Sequence, residues 1–204
     1  MMKMNLPNRL TVLRLMMVPS FVFIMMAADV LWTNIAGLLL FCVASLTDML
    51  DGKIARKRGL VTDFGKFLDP LADKFMVIGA LMVLLWRFTT DGNTSLIFRY
   101  IFFWAVLLVI FRELAVTSIR LVVSGTAGIV VAATMLGKIK TCTQIACVIA
   151  CIAERIFYRY IPALNFLLDI LPLSFFSTCL MLFFTLWSGF NYLRSYWKYM
   201  DPEK

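Results

Sequence analysis

Four aspartates lie in two short stretches of a chain that is otherwise strongly apolar. Asp48 and Asp51 are three residues apart, and Asp69 and Asp73 are four residues apart. On α-helices both spacings place the two carboxylates of a pair on one face. Four carboxylates on consecutive helices repel one another unless positive charge lies between them. Because hard divalent cations such as Mg²⁺ take oxygen ligands, the pattern predicts a metal site.

The chemistry expected at such a site is the displacement of a phosphoryl group. Two metal ions about 4 Å apart clamp the attacking and leaving oxygens of that reaction. The sequence contains no histidine, the usual general base and metal ligand, so carboxylates must do this work. Gly52, Ala55 and Gly65 lie on the same helical faces as the aspartates. Their missing side chains predict a hollow in which a pyrophosphate or a base approaches the backbone.

A purely structural alternative is a salt-bridge cluster inside the membrane, with small residues that allow close helix packing. Arg56 lies on the Asp48 face, but one arginine does not neutralise four carboxylates. Acidic residues in membrane helices are costly and usually functional. Paired helical spacing with glycines in phase therefore favours a functional site.

The elements that position these residues are predicted to be membrane helices. Of the 204 residues 62% are hydrophobic, against about 45–50% in soluble domains, and the mean hydropathy is +0.88. A spanning helix needs about 20 apolar residues. We expect an all-α integral membrane protein with one domain over residues 1–204. Six spans are predicted, at about residues 10–28, 31–58, 68–86, 96–123, 136–156 and 173–197.

The two irregular stretches are predicted to lie at the membrane surface. Leu6, Leu10 and Leu13 recur at helical spacing around Arg9, which predicts an N-terminal interfacial amphipathic helix. A second interfacial stretch is expected over residues 159–172, where prolines interrupt the apolar pattern.

The distribution of basic residues predicts the orientation. The net charge is +8, and the basic residues lie between apolar segments, which indicates contact with anionic lipid rather than with nucleic acid. Cytoplasmic loops carry the excess of lysine and arginine. We therefore expect both termini and the acidic site on the cytoplasmic side of the cell membrane. The opposite side receives Arg87, Arg99, Arg155 and Arg159.

The acidic stretch also resembles a known signature, D-x-x-D-G-x-x-A-R followed after eight residues by G-x-x-x-D-x-x-x-D. This is the pattern of the CDP-alcohol phosphatidyltransferases. Every specified position is met over 26 residues, by Asp48, Asp51, Gly52, Ala55, Arg56, Gly65, Asp69 and Asp73. Residues 5–11 with Arg14, residues 111–113 with Arg120, and residues 137–141 with Gln144 resemble the bacterial members that make phosphatidylglycerophosphate.

The resemblance implies a reaction and a set of roles. The expected reaction joins CDP-diacylglycerol and glycerol 3-phosphate to give phosphatidylglycerophosphate and CMP. Two divalent cations, Mg²⁺ or Mn²⁺, and a homodimer are expected. Asp48, Asp51 and Asp69 are implied metal ligands, with Asp73 as a further ligand and general base. The implied CDP-binding residues are Asp48, Asp51, Gly52, Ala55, Arg56 and Gly65.

Glycerol 3-phosphate is an anion and needs a basic pocket of its own. The candidates are Arg112, Lys138 and Lys140, with Arg120 behind them. Arg112 lies within a long apolar helix, where a charge indicates function, although an ion pair with Glu113 or an aspartate is the alternative. The two lysines could instead be anchors at the membrane surface.

Three other functions remain open at this point. Another acceptor would make the chain a cardiolipin synthase or a synthase of phosphatidylinositol phosphate or phosphatidylserine. A cation transporter could use the acidic residues, but repeats or broken helices are typical of transporters and none is evident in the sequence. An inactive scaffold would tolerate gaps in the signature. No serine or cysteine stands beside a plausible base in the signature, which predicts direct displacement without a covalent intermediate.

Overall fold

The computed structural model describes residues 6–58, 63–127 and 135–196. Within these ranges the side chains of residues 6–8, 49–58, 63–67, 69–70, 124–127 and 162 lie outside the described part. The long elements are α1 (Leu6–Ala27), α2 (Leu31–Arg58), α3 (Asp63–Thr90), α4 (Leu96–Ala127), α5 (Met135–Tyr160) and α6 (Pro172–Tyr196). A short 3₁₀ helix, Pro162–Leu167, joins α5 to α6.

The six predicted helices correspond to α1–α6. α2 runs past Asp48 to Arg58 as predicted, so both signature pairs lie on helical backbone. The 3₁₀ helix falls in the predicted interfacial stretch before α6. The N-terminal interfacial helix is not a separate element, since residues 6–13 are the first turns of α1. No glycine or proline interrupts residues 8–18, and so nothing ends the helix before the apolar run.

The protein is membrane-embedded. Four stretches of the described residues are long and apolar enough to cross a membrane, namely 9–27, 31–48, 135–160 and 163–196. The outward surface is covered by large apolar side chains, among them Phe23, Trp32 and Phe190. Such a surface is incompatible with water but matches lipid. Whether all six helices span stays a prediction.

The helices pack as a closed ring. α1 lies between α2 and α3, α3 continues to α4, α4 to α6, α6 to α5, and α5 returns to α2. α3 and α5 also touch each other across the ring. The inner faces of helices distant in sequence are therefore neighbours, which brings polar side chains from several helices together.

A buried carboxylate fixes where α6 begins. Glu154 of α5 is 2% exposed. It accepts hydrogen bonds from the backbone N–H of Leu173 at 2.8 Å, and from the N–H and hydroxyl of Ser174 at 2.6 and 2.5 Å. The first N–H groups of a helix have no partner within the helix, and an acidic group at this end is favoured by the helix dipole. The contact sets the register of α6 against α5.

Candidate active site

The first signature aspartate is paired with an arginine of another helix. Arg14 of α1 donates from Nη1 to Oδ1 of Asp48 on α2. The Arg14 side chain is only 1% exposed, whereas that of Asp48 is 33% exposed. The Asp48 carboxylate thus lies at the edge of the interior with a buried cation beneath it. Arg14 was not predicted as a site residue; its sequence signals are a charge inside the first apolar span and its place in the N-terminal motif that resembles the bacterial family members.

The last signature aspartate points into the interior. Oδ1 of Asp73 is buried and has no hydrogen-bond partner within the described part of the chain. The charges of Asp48, Lys140 and Glu113 all act on this carboxylate. A buried, unpaired carboxylate oxygen is costly, and a cation or a hydrogen-bond donor from a substrate would relieve that cost. The donor atoms therefore fit a divalent cation, which favours oxygen ligands.

For the other signature residues the structure describes only the backbone. Asp51 lies one turn beyond Asp48 on α2, and Asp69 lies one turn before Asp73 on α3. The helical geometry that the spacing argument assumed is therefore present. The side chains of the remaining members lie outside the described part, so their roles stay predictions; they are Asp51, Gly52, Ala55, Arg56, Gly65 and Asp69.

A second charged cluster is centred on Glu113 of α4. Its Oε1 accepts from the Lys140 ammonium of α5 and lies 3.4 Å from Nη1 of Arg112. Gln144 also donates to this oxygen at 3.5 Å. Glu113 is 7% and Lys140 6% exposed. The structure thus brings together Arg112 and Lys140, two of the predicted acceptor-binding cations, and their shared partner is a carboxylate considered earlier only as an alternative partner of Arg112.

Arg112 also reaches α6. Its Nη2 donates to Oγ of Ser188 at 2.5 Å. Its Nε is buried without a hydrogen-bond partner among the described residues. Two cations share one carboxylate here, so the group formed by Arg112, Glu113 and Lys140 carries a net positive charge. Such a group suits an anionic ligand. No sequence pattern indicated Ser188.

The other two predicted cations lie further out. Arg120 and Lys138 are exposed, and the structure does not bring them to Glu113. The charge of Arg120 nevertheless acts on Arg112, and the role of Arg120 behind that residue stays a prediction. Lys74, beside Asp73 on α3, donates to the Thr117 hydroxyl of α4. It joins the two clusters along α3 and α4.

A separate ion-pair network closes the far end of the bundle. Asp29, in the turn between α1 and α2, pairs with Arg87 at 3.2 Å, with Arg155 at 2.9 Å and with Arg159. Arg155 also contacts Asp91 at 2.8 Å. A helix rises about 1.5 Å per residue, so Leu31, the first residue of α2 and two positions after Asp29, lies about 26 Å from Asp48 along that helix. A cavity of about 280 Å³ lies beside this network, between the ends of α1 and α3.

Arg99 donates to the Asp91 carbonyl, so the four arginines assigned to the less basic side do meet at one end.

Partial burial is the largest single influence on the pKa of the Asp29 carboxyl, and it favours the neutral form. The hydrogen bond from Asn34 and the charges of Arg155, Arg87 and Arg159 outweigh burial and hold the pKa of Asp29 below its usual value.

The fold and the site define a membrane-embedded helical protein in which the carboxylates of Asp48 and Asp73 and the cationic cluster around Glu113 belong to one ring of helices. Residues 4–187 match the family model of the CDP-alcohol phosphatidyltransferases, and the chain belongs to this family.

Similar proteins carry the name CDP-diacylglycerol–glycerol-3-phosphate 3-phosphatidyltransferase. That of Bacillus subtilis is 40% identical over 95% of this chain and 96% of its own length. That of Rickettsia felis is 36% identical over 69% of this chain and 70% of its own length. A probable phosphatidylglycerophosphate synthase of Mycobacterium tuberculosis is 36% identical over 69% of this chain and 62% of its own.

Proposed function

We propose that this protein transfers the phosphatidyl group of CDP-diacylglycerol to glycerol 3-phosphate, giving phosphatidylglycerophosphate and CMP. Family membership and the names of the relatives support the reaction class. The proposal of an anionic acceptor rests on the largely buried cationic group of Arg112 and Lys140 around Glu113. A neutral acceptor would not need two largely buried cations that share one carboxylate.

The metal site is proposed to consist of the four signature aspartates. Asp48, Asp51, Asp69 and Asp73 would hold two divalent cations, Mg²⁺ or Mn²⁺, and members of the family in general depend on divalent cations. When bound, the cations neutralise the donor's diphosphate and polarise the phosphorus under attack. Gly52, Ala55, Arg56 and Gly65 are proposed to line the CDP side.

Asp73 is proposed to act as the general base. Its buried Oδ1, which has no hydrogen-bond partner among the described residues, takes the proton from the acceptor hydroxyl as that oxygen attacks the lipid-side phosphorus. The bond from phosphorus to the CMP oxygen breaks, and CMP leaves. A carboxylate is a weak base towards an alcohol, so alignment of the hydroxyl must supply much of the rate. Direct displacement follows, because no serine, cysteine or histidine nucleophile accompanies the signature.

Arg112 and Lys140 are proposed to hold the acceptor's phosphate. Arg112 offers a planar fork that suits a phosphate, and Lys140 offers a point charge. Lys138 and Arg120, exposed nearby on α5 and α4, raise the local concentration of the anion by their charge. The lipid tails of the donor remain in the bilayer throughout.

The membrane arrangement follows from the same site. We propose six spans with both termini and the active site on the cytoplasmic side, and a homodimer. Three arginines meet around Asp29. Their meeting supports placing that end of the bundle on the side of the membrane opposite the active site.

The deciding experiment uses purified protein in detergent with CDP-diacylglycerol, Mg²⁺ and radiolabelled glycerol 3-phosphate. We expect label to enter the lipid phase, and we expect Asp73→Asn to abolish it. Release of CMP with phosphatidylglycerol, serine or inositol phosphate, but not with glycerol 3-phosphate, would retain the family chemistry and overturn the acceptor. No CMP release with any alcohol would overturn the transferase function.

A further inference from the structure

We propose that Ser188 and Gly189 of α6 position Arg112 for the acceptor's phosphate. Neither residue would touch the substrate; they act through the arginine. The inference rests on the proposed function, because it requires Arg112 to bind the acceptor.

Gly189 makes room for the arginine side chain. A Cβ placed on Gly189 would lie 3.1 Å from Cγ and 3.7 Å from Nε of Arg112. Carbon atoms in van der Waals contact are about 3.5–4.0 Å apart, so even alanine would push the arginine. The stem of Arg112 therefore crosses α6 where that helix has no side chain.

Ser188 directs the guanidinium. Its hydroxyl accepts from Nη2 at 2.5 Å, while Nη1 stays 3.4 Å from Glu113. Charge-assisted hydrogen bonds are usually about 2.7–2.9 Å long, so the contact with Glu113 is loose. An arginine free to turn would form two bonds with that carboxylate and lose its affinity for another anion. Ser188 prevents this, and Arg112 remains available.

The inner face of α6 is polar beyond these two residues. Its buried residues recur every three or four positions and include Thr178, Thr185, Ser188 and Tyr192. The hydroxyls of Thr185 and Tyr192 are buried without a hydrogen-bond partner in the described part of the chain. Tyr192 lies one turn after Ser188 on this face. An apolar span with such a stripe faces a polar interior, as expected of a helix that forms one wall of the acceptor site.

The test compares Gly189→Ala with Gly79→Ala. A Cβ on Gly79 of α3 would meet Cγ1 of Val18 at 3.2 Å, so the control crowds a helix contact to the same degree without touching Arg112. We expect Gly189→Ala to raise the KM for glycerol 3-phosphate about tenfold, as for a weakened hydrogen bond to a charged group. The KM for CDP-diacylglycerol should not change. Gly79→Ala should leave both KM values unchanged.

A second variant separates positioning from packing. Ser188→Ala removes the hydroxyl without adding volume and should raise the same KM, and Ser188→Thr, which keeps a hydroxyl, should restore it. If Gly189→Ala does not fold, the comparison of Ser188→Ala with Ser188→Thr tests the positioning role. Wild-type protein that transfers no glycerol 3-phosphate would overturn the proposed function. A working wild type whose variants keep its acceptor KM, or lose affinity for both substrates equally, would overturn the positioning role alone.

Discussion

Arg14 of α1 forms an ion pair with Asp48, the first signature aspartate of α2, although the two residues are 34 positions apart. The arginine is almost fully buried, and the aspartate is partly exposed. The pair fixes the direction of a proposed metal ligand from beneath and holds α1 against the signature helix. The first span is thereby part of the site rather than only an anchor.

Replacing Arg14 should therefore affect both activity and stability. Arg14→Leu leaves Asp48 without its buried partner, and loss of a hydrogen bond to a charged group costs roughly 1–3 kcal/mol. We expect a lower Tm in detergent and at least a tenfold loss of transferase rate. Arg9→Leu, an exposed position on the same helix, is the control and should change neither. A fully active Arg14→Leu protein would show that the pair does not orient Asp48.

Asp73→Asn tests the general base. Because Oδ1 makes no hydrogen bond within the described chain, the amide should fit without loss of fold. General bases contribute typically about 10²–10⁴-fold to a rate, and we expect kcat to fall by at least 10²-fold at an unchanged Tm. A variant that keeps more than a tenth of the wild-type kcat would assign the proton transfer to another group.

Removal of metal by a chelator and a substitution of the proposed ligand Asp51 test the metal proposal. EDTA should abolish transfer, and Mg²⁺ or Mn²⁺ should restore it. Asp51→Asn removes one negative oxygen and should raise the Mg²⁺ concentration needed for half-maximal rate by about tenfold or more, since hard cations depend on ligand charge. An unchanged metal requirement would remove Asp51 from the ligand set.

Glu113→Gln tests the centre of the acceptor pocket. It leaves the charges of Arg112 and Lys140 side by side in the interior without their carboxylate. Breaking a buried pair on one side costs about 3–5 kcal/mol, so we expect a clearly lower Tm. The KM for glycerol 3-phosphate should fall while that for the lipid donor stays constant, because Arg112 and Lys140 no longer share their charge with a carboxylate. Steady-state kinetics at a temperature well below the new Tm measures both values. An unchanged acceptor KM would make Glu113 purely structural.

The Asp29 network predicts a pH-dependent contribution to stability. The pKa of Asp29 is held below its usual value of 3.8, so its contribution is complete above that value and is lost as the pH falls through the depressed pKa. Asp29→Asn should lower Tm at pH 7 and make little difference below that pKa. Activity should be unaffected, because the network lies at the other end of α2. An equal Tm difference at both pH values would contradict the ion-pair interpretation.

The amino-acid sequence determined the local geometry of the site. Spacings of three and four residues require that Asp48 with Asp51, and Asp69 with Asp73, share helical faces, and the helices α2 and α3 are present at those residues. Charge bias also assigned Arg87, Arg99, Arg155 and Arg159 to one side, and they meet at one end of the bundle. Helical spacing and charge bias depend only on residues near one another in the chain or on counts along it.

Only the tertiary structure decided which helices face one another. The pairs Arg14 with Asp48, Lys140 with Glu113, and Arg112 with Ser188 join residues 34, 27 and 76 positions apart. Helices that are apolar on every side do not reveal their inward face by hydropathy, because lipid and protein interior are equally apolar. The way in which the ring closes decides that Lys140 is buried and Arg112 largely so, whereas Arg120 and Lys138 are exposed. Small residues such as Gly189 acquire their role only when a neighbouring helix lies against them.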